Sequence, residues 1–246
     1  MTDQVVQNDQ LVLVSGESGS GKSASLRNLI GQEKWIYANC EAGKKLPFRN
    51  KFISFTVTDP YQIYSIFDDA KANADKCNGV IVDTVTFLME MYESIYINGS
   101  ANTQTAWGNY FQFFKGLMQD KVASFQKPVI ILGHTLSKLD EKAMQMSTKV
   151  PVKGALQNNG IEAYFSTVVS TKKVSINELE KYGSDLLTIT EEDRDLGYKH
   201  VFQTRLTKAT VCERIRSPMG MFTKEQTYID NDCQLLLDHL NKFYHG

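Results

Sequence analysis

Leu11-Val12-Leu13-Val14-Ser15-Gly16-Glu17-Ser18-Gly19-Ser20-Gly21-Lys22-Ser23-Ala24 decides the reading of this chain, because it joins an apolar run to a glycine-rich turn with the spacing G-x-x-x-x-G-K-[ST]. Gln10 to Val14 reads as a strand, and the residues from about Lys22 to Ile30 read as a helix that Gly31 closes. A triphosphate carries several negative charges, and inward-facing backbone N–H groups in a tight loop at a helix start can hold it without a strong positive field. Gly16, Glu17, Ser18, Gly19, Ser20, Gly21, Lys22, Ser23 and Ala24 are therefore the expected phosphate cradle. Lys22 reaches the β and γ phosphates and Ser23 offers a hydroxyl to Mg²⁺.

Outward from the loop, Val80-Ile81-Val82 and Val129-Ile130-Ile131-Leu132 are continuous apolar runs, the pattern of strands covered on both faces in a parallel sheet. Asp83 ends the first run, where a carboxylate can serve with Ser23 as the second anchor for the metal. Glu41 follows a strand expected over Trp35 to Ala38. An inserted strand there would set its carboxylate beside the γ phosphate, as a group that orients or deprotonates the attacking oxygen. His134 and Thr135 end the Val129 to Leu132 run as candidate γ-phosphate sensors. Arg205 and Lys208 are late cations able to reach the transition state of a neighbouring subunit, or to be a solvated pair at a strand end.

The remaining pattern supports the same architecture. Lys51 to Val57 reads as a strand, and Asp59-Pro60-Tyr61-Gln62 starts a helix running to about Ala74. Trp107, Tyr110, Phe111, Phe114, Leu117, Met118 and Phe125 form an aromatic stripe read as core. After His134 the sequence turns polar. Tyr164 to Ser170 and Lys199 to Thr207 are strand-like around a charged surface excursion near Glu178 to Asp195, and Leu236, Leu237, Leu240 and Phe243 mark a closing amphipathic helix.

The 246 residues are 42% hydrophobic, enough for one α/β domain over 1–246, with a core of about 10–210 and a C-terminal extension of about 211–246. Twenty-seven basic against 28 acidic side chains give no global field toward nucleic acid or anionic membrane, so any such binding must be local. The four cysteines form no C-x-x-C pair and are read as scattered thiols. No apolar run approaches the roughly 20 residues that cross a bilayer, and the start lacks an apolar leader, so the expectation is a soluble, cytoplasmic protein without membrane partners.

Together the loop, Asn39-Cys40-Glu41, Asp83-Thr84, Gly133-His134-Thr135 and the basic motif around Arg205 and Lys208 resemble the RecA-like ATPase family, most closely its small phage recombination members grouped with single-strand-annealing proteins. The resemblance implies a mainly parallel twisted sheet with helices on both faces, and an ATP- and Mg²⁺-dependent hydrolase of the (host) cytoplasm. In it Glu41 is the general base, Asp83 the Mg²⁺ and water organiser, His134 or Thr135 the sensor, and Arg205 or Lys208 a finger across a homo-oligomer interface. It also implies mobile loops that hold single-stranded DNA. Here Lys138, Lys142, Lys149, Lys153, Lys172 and Lys173 outnumber the acids, with Tyr164 and Phe165 as the few aromatics for base stacking. The family's usual Gln at the sensor position is replaced by His-Thr.

Two other functions use the same loop. A small-molecule or nucleotide kinase would draw an arginine-rich lid from Arg194, Arg205, Arg214 and Arg216, and a loader or assembly protein would use nucleotide as a switch. No N-K-x-D sequence follows the loop to read guanine.

Overall fold

The computed structural model describes residues 8–141 and 144–246. Among the described residues ten strands form: β1 (Leu11–Gly16), β2 (Trp35–Asn39), β3 (Ile53–Thr56), β4 (Gly79–Asp83), β5 (Val129–His134), β6 (Leu136–Asp140), β7 (Gln145–Lys149), β8 (Thr167–Ser175), β9 (Tyr198–Gln203) and β10 (Tyr228–Asp230). Eight of them make one sheet in the order β10-β9-β8-β1-β5-β4-β2-β3, parallel from β3 to β8 and antiparallel at β8–β9 and β9–β10. This is a mainly parallel α/β sheet with helices on both faces and the phosphate loop at the end of β1. The strand inserted between β1 and the Asp83 strand is β5, not β2: Leu11 to Gly16 pair with Val129 to His134, and Asp83 lies opposite Leu132. The inserted tip is thus His134, and Glu41 stands one strand further out, beyond β4.

The unbroken apolar runs are explained by two cores, one on each face. Leu13, Val80, Val82, Val129 and Ile131 point into a core with Phe67 of α1 (Gln62–Ala72), Leu88 of α2 (Val85–Tyr92) and Phe114 of α3 (Thr103–Gly116). Val12, Val14, Ile81, Ile130 and Leu132 point the other way, against Leu236, Leu237 and Leu240 of the C-terminal helix Cys233–His245. Each fully buried Leu or Phe stabilises the fold by about 1.5–3 kcal/mol. The aromatic stripe is core at Tyr110, Phe114, Leu117, Met118 and Phe125, while Phe243 of the closing helix is 40% exposed.

α1 begins as its sequence dictates. The Asp59 carboxylate accepts from Tyr61 N, and Gln62 Oε1 accepts from the Thr58 and Asp59 amides. The helix expected after the phosphate loop is instead a 3₁₀ turn, Ser23–Leu26, followed by turns that end at Gly31 with φ +65°. Side chains take over there: Ser25 Oγ donates to Lys22 O (2.5 Å), Arg27 Nη1 and Gln32 Nε2 donate to Ala24 O and Arg27 O, and Ile30 N donates to Gln234 Oε1. The polar sequence after His134 folds as the antiparallel hairpin β6–β7. Among the described residues no helix is long and apolar enough to cross a membrane.

Candidate functional site

The parallel register brings Gly16, His134, Asp83 and Asn39 to one edge of the sheet. There they open onto a cavity of about 630 Å³ whose walls include Ser18, Gly19, Gly21, Lys22, Ser23, Ala24, Glu41, Asp83 and His134. Ser20 N donates to Glu17 O (3.3 Å), whereas among the described residues the Gly19 and Gly21 amides meet no protein acceptor. The loop therefore keeps free donors for an anion.

Lys22 is 5% exposed, and its Nζ donates to the carbonyls of Gly16 (2.9 Å) and Glu17 (2.8 Å). Burial lowers its ammonium to about 8, against the pull of Asp83 and Glu41. Ser23 Oγ donates to Asp83 Oδ2 at 3.0 Å, which unites the two candidate metal ligands. Tyr37 Oη donates to the same oxygen at 2.8 Å, while Asp83 Oδ1 is buried without a partner. A buried carboxylate oxygen without a donor is costly, and a hard cation beside a serine hydroxyl and a carboxylate satisfies it; the residues present fit Mg²⁺. Burial raises the Asp83 carboxyl above its usual range despite the Tyr37 hydrogen bond, and burial with the Asp83 charge pushes the Tyr37 phenol up.

Glu41 is held by an Asx turn, with its own N–H donating to Asn39 Oδ1 (2.9 Å) and Asn39 Nδ2 donating to Lys44 O (2.9 Å). Its carboxylate spans two cations or donors, His134 Nε2 at 3.1 Å and Lys44 Nζ at 2.8 Å. Burial opposes its ionisation, yet the Lys44 and His134 hydrogen bonds prevail and hold it below the ordinary range. His134 is fixed by its N–H to Thr86 Oγ1 (3.0 Å) and by the Phe87 ring edge. Thr84 caps α2 by accepting from Phe87 N, so the residue after Asp83 sets the helix that holds His134.

Other expected site residues lie elsewhere. Thr135 donates its N–H to Gly16 O and faces a separate polar cavity behind the loop, with Ser20, Thr171 and Lys172. Arg205 and Lys208 are not brought to the cavity. β9 runs antiparallel to β8, so Tyr198 to His200 stand at the loop, whereas Arg205 and Lys208 follow the strand's far end, exposed, with Arg205 Nη1 on Phe222 O. Phe165 is 2% exposed and Tyr164 packs edge-on against Phe114, so neither is free to stack on a base. Lys153 pairs with Glu93, Lys172 with Glu213, and Lys173 lies over the Tyr198 ring. Lys142 lies outside the described residues.

Sequence reasoning missed Tyr37, Lys44, Lys199, His200 and Asn231, all on the cavity wall. The charged excursion near Glu178 to Asp195 returns to it, with Lys199 paired to Asp193 (2.9 Å). Only Tyr37 left a signal, as a lone hydroxyl one strand from Asp83.

Residues 8–209 match the family profile described as an AAA domain. No curated protein matches the chain. Among solved structures, that of the RadB recombinase is similar at 17% sequence identity and a TM-score of 0.41, over 68% of this chain and 76% of that one. The profile spans β1 and its phosphate loop, the Asp83 strand and the inserted β5, and continues past β9: the chain belongs to the AAA domain family.

Proposed function

We propose that the protein binds and hydrolyses ATP with Mg²⁺ in the cavity at Gly16 to Ala24. The observation that carries this reading is the Ser23–Asp83 pair at 3.0 Å, with the second Asp83 oxygen buried and unpartnered beside a loop of free amides. Ser23 and Asp83 would hold Mg²⁺, which when bound neutralises charge on the phosphate oxygens. Lys22 leaves the Gly16 and Glu17 carbonyls for the β and γ phosphates. Glu41, braced by His134, orients the attacking water by accepting its hydrogen bond, and Asp83 keeps Ser23 and Tyr37 in place. Lys22→Ala should abolish triphosphate affinity or turnover, because backbone donors alone do not replace the point charge; unchanged ATP hydrolysis in that variant refutes the assignment.

The wider role we infer is action on DNA, single-stranded by resemblance, in recombination, annealing or replication of the phage type, within the cytoplasm. Lys138 on the β6–β7 hairpin and Lys173 on β8 have no carboxylate partner among the described residues, and the hairpin springs from the His134 strand. Arg205 and Lys208 would meet a nucleotide only on an adjacent copy, so the reading requires a homo-oligomer. Phosphate release with and without single-stranded DNA, alongside the mass of the nucleotide-bound species, tests both parts. Turnover indifferent to DNA and controlled by a partner protein would favour the loader reading instead. The kinase reading loses its lid: Arg194 pairs with Glu180, Arg205 holds Phe222 O, Arg214 holds Asn159 O, and neither these nor Arg216 lines the cavity.

A further inference from the structure

Two side chains outside its motif, both on the cavity wall, hold carbonyls of the phosphate loop. His200 Nδ1 lies 2.7 Å from Ser20 O, and since a carbonyl only accepts, the ring nitrogen donates. Asn231 Nδ2 donates to Gly21 O at 3.0 Å. The Ser20–Gly21 and Gly21–Lys22 peptides are trans, so the N–H of each unit points opposite to its C=O. Holding the Ser20 carbonyl therefore fixes the direction of the Gly21 amide, and holding the Gly21 carbonyl, which also accepts from Ser25 N at 3.0 Å, does the same for the Lys22 amide. We propose that His200 and Asn231 are positioning residues of the phosphate loop, fixing the two peptides whose amides receive the β phosphate. The proposal rests on the ATP-binding reading of this loop.

Three further observations bear on it. Gly21 has φ +109°, and a Cβ there would sit 2.7 Å from Asn231 Nδ2 and 3.2 Å from His200 Nδ1, so the loop lies directly on both donors. Asn231 is 4% exposed and its Oδ1 is buried without a partner. A buried amide half satisfied is unfavourable for folding alone, which points to its donor as the reason for its presence. Asn231 also lies beyond residue 209, where the AAA match ends, and its own carbonyl accepts from Arg27 at 3.0 Å. The last part of the chain thus reaches the loop and the turn that follows it.

The test compares ADP with AMP by equilibrium binding to the full chain, with the thermal midpoint of the empty protein measured in parallel. Asn231→Leu and His200→Leu should each lower the ADP-to-AMP affinity ratio about tenfold, the scale of one well-placed hydrogen bond. His200→Asn, which keeps an amide donor near the Nδ1 position, should restore the wild-type ratio. An unchanged ratio in both Leu variants, or ADP and AMP weakened together with a lowered midpoint and no rescue by Asn, overturns the proposal. Wild-type protein that binds ADP no better than AMP sinks the nucleotide-binding reading itself, a different and separable failure.

Discussion

Raising the pH from 7 to 9 should weaken ADP binding about tenfold, because the phosphates need Lys22 charged and burial makes that charge expensive. Burial holds the Lys22 ammonium at about 8 even though Asp83 and Glu41 attract it. One unit below that value about nine-tenths of the lysine is protonated, and one unit above about one-tenth, so the apparent affinity falls about 1.4 kcal/mol across the window. Calorimetric titration with ADP in a metal chelator, repeated in buffers of different ionisation enthalpy, counts the protons. Uptake should rise from about 0.1 per ligand at pH 7 to about 0.9 at pH 9. Lys22→Arg, whose guanidinium stays charged throughout, should flatten the profile in so far as it binds. A wild-type affinity that is flat from pH 7 to 9, with no buffer-dependent heat, would refute the reasoning. It would mean that the Gly16 and Glu17 carbonyls already keep the ammonium fully charged.

The same burial has a consequence for folding. The native Lys22 pKa of about 8 lies below its unfolded value of 10.5, so the unfolded chain binds more protons between them and stability contributed by this group rises with pH across that window. Lys22→Met should therefore raise the thermal midpoint of the empty protein at pH 7 while eliminating ADP binding; a lowered midpoint would show that the two carbonyl hydrogen bonds outweigh the desolvation. Glu41→Gln should retain nucleotide binding with turnover reduced by roughly 10² or more, and near-normal turnover would move the water-orienting role elsewhere. Tyr37→Phe should leave ADP affinity in chelator unchanged and raise the Mg²⁺ needed for half-maximal hydrolysis about tenfold, the cost of freeing a metal-holding carboxylate. An identical Mg²⁺ titration would mean that Ser23 alone orients Asp83.

The phosphate loop and the buried strands were legible because their signals are local: a fixed spacing of glycines and lysine, and apolar runs covered on both sides. Asp83 was legible as the polar end of such a run. The role of β5 as inserted strand was not, since strand order depends on packing between segments far apart in sequence, and β2 merely precedes β4 in the chain. The 3₁₀ turn at Ser23–Leu26 escaped for a related reason. Gln234, from the last helix, takes the Ile30 amide, and no local pattern announces a side chain more than 200 residues away. His200 and Asn231 escaped likewise, because an isolated His and Asn carry no spacing. Tyr164 and Phe165 misled because an aromatic that stacks on a base and one that fills a core look alike in sequence.

Glu41 shows how its neighbours constrain the chemistry. A carboxylate held below its ordinary pKa by Lys44 and His134 is ionised at neutral pH, but for the same reason it is a weak proton acceptor. Lys44 is largely exposed, with two-thirds of its side chain open to solvent, whereas the His134 ring meets the edge of Phe87 and its backbone N–H is held by the Thr86 hydroxyl. Of the two partners, Lys44 is the one free to swing toward a phosphate oxygen, and its departure would raise the basicity of Glu41 at the moment a triphosphate arrives. His134 would stay, keeping the carboxylate aimed. Phosphoryl transfer through a loose transition state asks little proton abstraction of the protein early on and much positioning. On the proposed reading, a carboxylate steadied by the His134 imidazole and released by the exposed Lys44 would meet that demand better than a strong base.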